Sequence, residues 1–256
     1  MTAIPFDFTG RTALVTGAAS GIGAATAKLL ASLGVAELIL VDFDEARLSA
    51  LEVRCERRDF IGDVADPVLW ERIGSTLHQL DHAVLNAGIA GNGKTIAEMQ
   101  FADWRRTLAT NLDGVFLGLH TAMPLMVRNG GGSIVLTASV AAVRAVSTID
   151  YGASKSAVAH MAKIAAREGG PDGVRINAIA PGGVDTPIWD QSDAFARQVE
   201  RFGSREEAIR EFGKLGCPIG RFATADEIAG QIAFLLSDMA ATVTGAILVS
   251  DGGFSV

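Results

Sequence analysis

Three side chains in the middle of the chain have the types and the spacing needed for acid–base chemistry. Tyr151 and Lys155 are four residues apart, which places them on one face of a helix, and Ser139 lies 12 residues before Tyr151. Tyrosine is a weak base because its ordinary pKa is near 10, but an adjacent ammonium group stabilises the phenolate and lowers that pKa. A serine hydroxyl can hold a substrate oxygen beside the phenol. The set suits proton transfer coupled to hydride transfer at a carbinol carbon. A surface tyrosine with a solvated lysine is the alternative.

A glycine-rich segment near the start of the chain has the features of a dinucleotide-binding loop. It reads Thr16-Gly17-Ala18-Ala19-Ser20-Gly21-Ile22-Gly23, and it joins an apolar run to an amphipathic segment. Glycines at such a turn let a pyrophosphate approach the backbone at the N-terminus of a helix. A plain strand-to-helix turn that needs glycine is the alternative. An acidic residue in the right place after the next strand favours the dinucleotide.

Asp42 is that acidic residue, and it lies 19 residues after Gly23 at the end of the second apolar run. A carboxylate there can accept hydrogen bonds from an adenosine ribose and repels a 2′-phosphate. Position 43 is Phe43, and residues 18–20 are uncharged, so we expect no cation placed to hold that phosphate. The cofactor predicted is therefore NAD. Asp42 as a helix N-cap is the alternative, although the next helix is expected to start at Asp44.

The elements that position these residues alternate between short apolar runs and longer amphipathic segments. Strands are predicted at 13–16, 37–42, 53–60, 82–88, 133–139, 174–181 and 246–253, and helices at 21–34, 45–51, from 66 onward, 103–127, 151–168 and 225–236. Near-continuous apolar strands are typical of parallel sheets covered on both faces. We predict an α/β fold over residues 1–256. It is a single-domain, Rossmann-like, doubly wound parallel sheet of about seven strands with helices on both faces.

The composition excludes several other classes of protein. Of 256 residues, 49% are hydrophobic and 20% charged, which excludes a disordered chain. A net charge of −7 argues against a nucleic-acid binder, and no apolar stretch is long enough for a membrane span. The first residues show no signal-peptide pattern. Cys55 and Cys217 lack metal-ligand spacing, so we expect no metal site and a cytoplasmic protein with reduced thiols.

The motifs, in order and over essentially the whole chain, resemble the short-chain dehydrogenase/reductase family. Four segments carry the resemblance besides the serine, tyrosine and lysine. The loop at 16–23 resembles TGxxxGIG, Asp63-Val64 the adenine-contacting pair, Asn86-Ala87-Gly88 the NAG turn, and Pro181-Gly182 with Val184 and Thr186 the PGxVxT segment beside nicotinamide. Two positions depart from the family pattern: Thr137-Ala138 precedes Ser139 where the family has a serine pair, and Ala142 stands where many members have glycine.

The resemblance implies a role for each of these residues. Tyr151 would be the general acid/base, Lys155 would lower its pKa and hold the nicotinamide ribose, Ser139 would orient the substrate oxygen, and Asn111 would join a proton relay through water. The implied cofactor-binding set is Gly17, Ser20, Gly21, Ile22, Gly23, Asp42, Phe43, Asp63, Val64, Asn86, Ala87, Gly88, Tyr151, Lys155, Pro181, Gly182, Val184 and Thr186. For Asn86 and Asn111, purely structural bracing is the alternative.

The substrate side is predicted to be apolar and to take a small molecule. The segment 188–215 would form a lid, with Trp189 as a pocket residue and Phe195, Phe202 and Phe212 as pocket or core residues. Residues 140–143 are small and apolar, and Arg144 and Asp185 are expected to be the nearest charges, with a solvent-facing position as the alternative for either. A hydrophobic secondary alcohol or ketone is favoured over a sugar phosphate.

Two other functions are alternatives that fit the sequence less well. A non-catalytic NAD-binding regulator would not need the serine, tyrosine and lysine, which are all present. A sugar epimerase or dehydratase would need a larger C-terminal domain.

Members of the family commonly pair two long helices, here 103–127 and 151–168, across one two-fold axis and the last strand across another. We therefore expect a homotetramer, with a dimer as the runner-up.

Overall fold

The computed structural model describes residues 6–256 and contains one parallel sheet of seven strands. The strand order is β3-β2-β1-β4-β5-β6-β7. The strands are β1 (Thr12–Thr16), β2 (Glu37–Asp42), β3 (Glu56–Ile61), β4 (His82–Leu85), β5 (Gly132–Thr137), β6 (Val174–Pro181) and β7 (Ile247–Ser250). The order reverses between β1 and β4, so a crevice opens there at the carboxyl ends of the strands. The predicted doubly wound sheet is confirmed.

The described part of the chain contains nine α-helices, most of which pack on the two faces of the sheet. They are α1 (Gly21–Ser32), α2 (Glu45–Ser49), α3 (Pro67–Thr76), α4 (Phe101–Leu108), α5 (Gly114–Arg128), α6 (Ile149–Gly169), α7 (Asp193–Phe202), α8 (Arg205–Gly216) and α9 (Ala225–Leu236). One hydrophobic core contains buried residues of α3, α5 and α6, and the other contains buried residues of α1 and α9. The sheet therefore lies between two apolar layers.

Alternate residues of each central strand enter opposite cores. On β1, Leu14 packs into the core shared with α3, α5 and α6, whereas Ala13 and Val15 pack into the core shared with α1 and α9. Ile39 and Leu40 of β2 divide in the same way. Because successive side chains of a strand point to opposite faces, a strand covered on both faces must be apolar at every position. This requirement explains the continuous apolar runs in the sequence.

The structure departs from the predicted elements in several places, and β4 and β7 each end three residues earlier than predicted. β3 begins at Glu56 rather than at 53, since this outer strand pairs only with β2 and is largely polar. The helix predicted over 103–127 consists of α4 and α5 joined by a π-helical turn at Ala109–Asp113. A π turn inserts one residue into the helical register and is frequently found at functional sites. Asn111 lies inside this turn.

The absence of a signal-peptide pattern rests partly on residues 1–5, which lie outside the described residues. Among residues 6–256, no helix is both long enough and apolar enough to cross a bilayer.

Thr16 ties the end of β1 to the turn that follows β4. Its hydroxyl oxygen accepts hydrogen bonds from the backbone N–H of Asn86 at 2.9 Å and of Ala87 at 3.0 Å, and it faces the Val84 carbonyl at 3.5 Å. The side chain is only 2% exposed. The glycine loop, which begins one residue later, is thereby fixed to the Asn86 turn.

We expect Thr16→Val to destabilise the protein by roughly 2–4 kcal/mol, because it leaves two buried N–H groups without an acceptor at almost constant volume. Thr16→Ser keeps the hydroxyl and is the matched control. Unfolding by urea measures both variants. A loss below about 0.5 kcal/mol for Thr16→Val, as is usual for a surface substitution, would contradict the role given to this hydroxyl.

Candidate active site

A single cavity of about 1140 Å³ runs along the carboxyl ends of the strands and contains most of the predicted site residues. It is somewhat larger than an ordinary small-molecule site, which occupies about 300–1,000 Å³. The predicted residues that line it are Gly17, Ser20, Gly21, Ile22, Asp42, Phe43, Asp63, Val64, Asn86, Ala87, Gly88, Ser139, Tyr151, Lys155, Pro181, Gly182, Val184 and Thr186. Gly23 and Asn111 lie behind its wall.

The glycine loop has a backbone path that only glycine can follow. Gly17 and Gly21 have φ of +65° and +52°. A Cβ on Gly23 would lie 2.0 Å from the carbonyl oxygen of Gly17, so a side chain cannot be placed there. Ser20 is the N-cap of α1, but its side chain makes no capping hydrogen bond. The first turn of α1 therefore keeps uncapped N–H groups beside the cavity, where they can bind phosphate oxygens.

The Asp42 carboxylate is held rigidly at the end of β2. One oxygen accepts a hydrogen bond from Ala19 N at 2.9 Å and the other from Asp44 N at 3.0 Å. Asp42 is 8% exposed, and it faces the same cavity as the glycine loop. The helix that follows is capped by Asp44, as predicted, so Asp42 is not its N-cap. The residue is thus placed to accept hydrogen bonds from a ligand's hydroxyl groups.

Asn86 and Asn111 brace the turn after β4. The Asn86 amide donates to the carbonyl oxygen of Thr16 at 3.1 Å, which fixes the turn against β1. The Asn111 side chain accepts from Ile89 N at 2.8 Å and donates to Ile89 O at 3.0 Å and to the Ser154 hydroxyl at 3.2 Å. Asn111 is fully buried. Both side chains therefore brace the backbone, which is the structural alternative considered for them. The relay function of Asn111 stays a prediction.

Ser139, Tyr151 and Lys155 meet at one end of the cavity. Ser139 lies two residues after the end of β5. Tyr151 and Lys155 lie on one face in the first two turns of α6. The Lys155 ammonium donates to the carbonyl oxygen of Thr137 at 2.8 Å, and it lies 5.7 Å from the centroid of the Tyr151 ring. Lys155 is 4% exposed, while Tyr151 is partly buried and faces the cavity. A phenol, a hydroxyl and an ammonium thus share one wall.

The predicted lid segment folds into a short 3₁₀ turn, α7 and α8 over residues 187–216. Trp189 lines the cavity, and its indole N–H donates to Val184 O at 2.8 Å. Its ring stacks on Phe222 at a centroid distance of 5.2 Å and packs with Phe195 and Phe212. The aromatic residues therefore form a small core of their own, and Trp189 presents that core to the cavity.

Comparisons with known proteins agree with this geometry. The family model described as enoyl-(acyl carrier protein) reductase matches residues 17–255. Cis-4-hydroxycyclohexanecarboxylate dehydrogenase of Sinomonas cyclohexanicum is 38% identical over 97% of this chain and 98% of its own. The crystal structure of levodione reductase superposes with a TM-score of 0.87 at 35% identity, covering 97% of this chain and 98% of that one. L-sorbose reductase of Gluconobacter frateurii, complexed with NADPH and L-sorbose, has a TM-score of 0.90 at 28% identity, covering 98% and 99%.

The chain belongs to the short-chain dehydrogenase/reductase family. As a member, it is an oxidoreductase that acts on CH–OH groups and binds a nicotinamide dinucleotide. The glycine loop and the uncapped first turn of α1 fit the pyrophosphate of such a ligand, and Asp42 fits a ribose.

The electrostatics of this short-chain dehydrogenase/reductase site differ from the sequence prediction at Tyr151. The sequence argument has Lys155 lowering the pKa of the phenol. In the structure, burial raises the pKa of Tyr151 above 10, and the Ser139 hydroxyl acts in the opposite direction. Burial also lowers the pKa of the Lys155 ammonium from 10.5 to about 8. Burial is therefore the main cause of both shifts, because it penalises every charged form.

Charges near the cavity differ from the sequence predictions in two ways. Arg47, in the first turn of α2, lines the cavity and pairs with Asp44 at 3.3 Å, and this cation was not predicted there. Arg144 and Asp185 do not line the cavity. Asp185 pairs with Arg205 at 2.7 Å on the outer side of the lid segment. The charged residues that do line it are Asp42, Asp44, Arg47, Asp63, Arg106, Lys155 and Asp190.

Sequence reasoning also missed lining residues that come from distant segments. Arg106 of α4, Cys217 after α8 and Phe254 near the C-terminus all face the cavity. Their positions follow from the packing of helices and chain ends, and no local motif marks them. A helical pattern over 103–127 could have shown only that Arg106 shares a face with Thr110, which also lines the cavity.

The buried ammonium makes stability depend on pH. Because the pKa of Lys155 is about 8 in the folded protein and 10.5 when exposed, the unfolded chain binds more protons between these pH values. We therefore expect the wild type to gain stability relative to Lys155→Met as pH rises from 8 to 10.5, by up to about 3 kcal/mol. Urea unfolding at several pH values measures the difference, with Lys28→Met on the exposed side of α1 as the control. A difference that does not change with pH would contradict the burial of a charged Lys155.

Proposed function

We propose that the protein is an NAD-dependent dehydrogenase/reductase that interconverts a hydrophobic secondary alcohol and the corresponding ketone. The observation that carries this proposal is the arrangement of Ser139, Tyr151 and Lys155 on one wall of the cavity whose other end holds the glycine loop and Asp42. A reacting carbon between the two ends would lie within reach of both the proton-transfer groups and the nicotinamide.

The three side chains act together on the substrate oxygen. Tyr151 removes the hydroxyl proton during oxidation and returns it during reduction, and the Ser139 hydroxyl holds the same oxygen in place. Lys155, protonated and fixed by the Thr137 carbonyl, favours the phenolate form of Tyr151. When bound, the nicotinamide supplies the hydride acceptor or donor, and its oxidised ring adds a positive charge beside the phenol. Tyr151 would thus ionise chiefly in the complex in which a base is required.

Asp42 supports NAD as the cofactor rather than NADP. Its buried carboxylate is fixed by two backbone N–H groups and cannot turn away from a 2′-phosphate. Arg47 lines the same cavity and is a candidate partner for the phosphate, but it already forms an ion pair with Asp44. We therefore expect the repulsion at Asp42 to exceed the attraction that Arg47 offers.

The cavity walls and the relatives support an apolar ring as the body of the substrate. The walls near the catalytic end include Val140, Ala141, Ile188 and Trp189, which are apolar. Relatives include enzymes named for cyclic alcohols, among them a cyclohexanol dehydrogenase of an Acinetobacter strain, 36% identical over 97% of this chain. A saturated carbon ring would bury its surface against such walls without leaving polar groups unpaired.

We further propose that the chain functions in the cytoplasm as one domain and assembles into a homotetramer. Both hydrophobic cores pack on the same sheet, and Cys55 and Cys217 are free, as suits a reducing compartment. Exposed apolar side chains lie on the two long helices, Phe116 on α5 and Ile164 on α6. The outer strand β7 is also exposed, at Val249. Two isologous interfaces would cover these surfaces, and the mass in solution distinguishes a tetramer from a dimer.

Replacing Tyr151 with phenylalanine tests the acid–base proposal. The substitution removes one hydroxyl group, so we expect cyclohexanol oxidation to slow by at least ~10²-fold while NAD still binds. Turnover is followed by the absorbance of NADH, and calorimetry measures the binding of NAD. Near-normal turnover in Tyr151→Phe would refute the role of this residue.

A double-mutant cycle at Asp42 and Arg47 tests the cofactor proposal. We expect Asp42→Ala to raise the ratio of kcat/KM for NADP over NAD by at least about tenfold, since the repulsion is removed and Arg47 can meet the phosphate. Adding Arg47→Ala should reverse most of that gain, and Arg47→Ala alone is the control. Wild-type enzyme that uses NADP as efficiently as NAD would show that Asp42 does not select the cofactor.

A further inference from the structure

The C-terminal residues of the chain form part of the cavity wall at its catalytic end. Phe254 lines the cavity together with Ser139, Val140 and Ala141. It lies three residues beyond Asp251, which directly follows β7. The tail of the chain therefore returns to the site from the edge of the sheet.

A tight turn directs the tail into this position. The Asp251 carboxylate accepts hydrogen bonds from Gly253 N at 2.9 Å and from Ser255 N at 2.8 Å. Gly252 and Gly253 have φ of +63° and +85°, a conformation that side chains disfavour. In addition, Ile219 N donates to Gly252 O at 3.2 Å. The turn is thus fixed both internally and against the segment after α8.

Arg144 clamps Phe254 from the outer side. Its guanidinium carbon lies 4.3 Å from the centroid of the Phe254 ring, and the same group donates a hydrogen bond to the Phe254 carbonyl. The backbone N–H of Arg144 donates to Val140 O at 2.9 Å, which places it in the segment that begins at Ser139. The clamp therefore joins the tail to the segment of the catalytic serine.

This arrangement gives the two residues different functions. Arg144 does not line the cavity, because its charge is directed at the ring face and carbonyl of Phe254. One face of the Phe254 ring meets the cation, and the residue also lines the cavity as a flat apolar surface. Phe254 and Ser139 line the same cavity, and Arg144 links the tail to the turn that follows Ser139.

We propose that Phe254 is a specificity-determining residue that packs against the carbon ring of an alicyclic secondary alcohol, and that Arg144 is a positioning residue that holds Phe254 there. This inference rests on the proposed function. It assigns the apolar body of the substrate to the C-terminal wall of the cavity, on the side away from the dinucleotide loop.

The test compares cyclohexanol, which has the ring, with 2-propanol, which lacks it. We expect Phe254→Ala to lower kcat/KM for cyclohexanol by about tenfold or more, chiefly through a higher KM, and to change kcat/KM for 2-propanol less than twofold. Phe254→Leu keeps an apolar side chain and should recover part of the loss. Phe101→Ala, which removes an exposed ring outside the cavity, is the matched control.

Arg144→Gln tests the positioning role separately. We expect it to raise KM for cyclohexanol severalfold while kcat stays within twofold, since the chemical groups are untouched. Arg144→Lys keeps the positive charge and should give an intermediate KM. The dissociation constant for NAD is measured for every variant. It shows, independently of turnover, whether the cavity is still folded.

The outcomes separate the two levels of the proposal. Turnover of neither alcohol by the wild type would overturn the proposed function and this inference with it. Turnover of both alcohols, with a ratio that Phe254→Ala and Arg144→Gln leave unchanged, would overturn this inference alone. A tenfold loss confined to cyclohexanol, with NAD binding retained, would support it.

Discussion

Burial shifts the pKa values of both Tyr151 and Lys155, and the charge states of these two groups govern the chemistry of the site. Burial raises the pKa of the phenol and lowers the pKa of the ammonium to about 8. Both shifts favour the neutral forms and therefore oppose the charged pair that catalysis requires. The Thr137 carbonyl opposes this tendency at Lys155, since it accepts a hydrogen bond from the ammonium group at 2.8 Å. An additional positive charge is needed at Tyr151, and a bound oxidised nicotinamide would supply it.

The rest of the fold serves to hold that site beside a dinucleotide. β1 ends in the glycine loop, β4 ends in the Asn86 turn, and Thr16 joins the two by accepting hydrogen bonds from Asn86 and Ala87. β5 delivers Ser139, and α6 packs Tyr151 and Lys155 against it. Because the strands are parallel, all of these loops lie together at the carboxyl ends of the strands. Trp189, in the segment after β6, and Phe254, in the C-terminal tail, line the same cavity.

Most of the fold could be predicted from the sequence, because the signals are local. A strand covered on both faces must be apolar at each position, as at Leu14 and Val15, and a loop against a phosphate must contain glycine, as at Gly21. The π turn around Asn111 was missed, since its sequence differs little from that of an ordinary helix. Arg47 and Phe254 were missed because tertiary packing brings them to the cavity. The direction of the Tyr151 pKa depends on how much water the site loses, which sequence spacing does not report.

The chain contains one tyrosine, so its ionisation can be observed directly. The most direct test is a spectrophotometric titration of the tyrosinate band, with Tyr151→Phe protein as the blank. Titrations would be made of the free protein and of its complexes with NAD⁺ and with NADH. We expect ionisation above pH 10 in the free protein, a clear shift to lower pH with NAD⁺, and a smaller shift with NADH, whose ring carries no positive charge. Ionisation of the free protein below pH 10, unchanged by NAD⁺, would contradict the claim that burial raises this pKa and that the cofactor's charge lowers it.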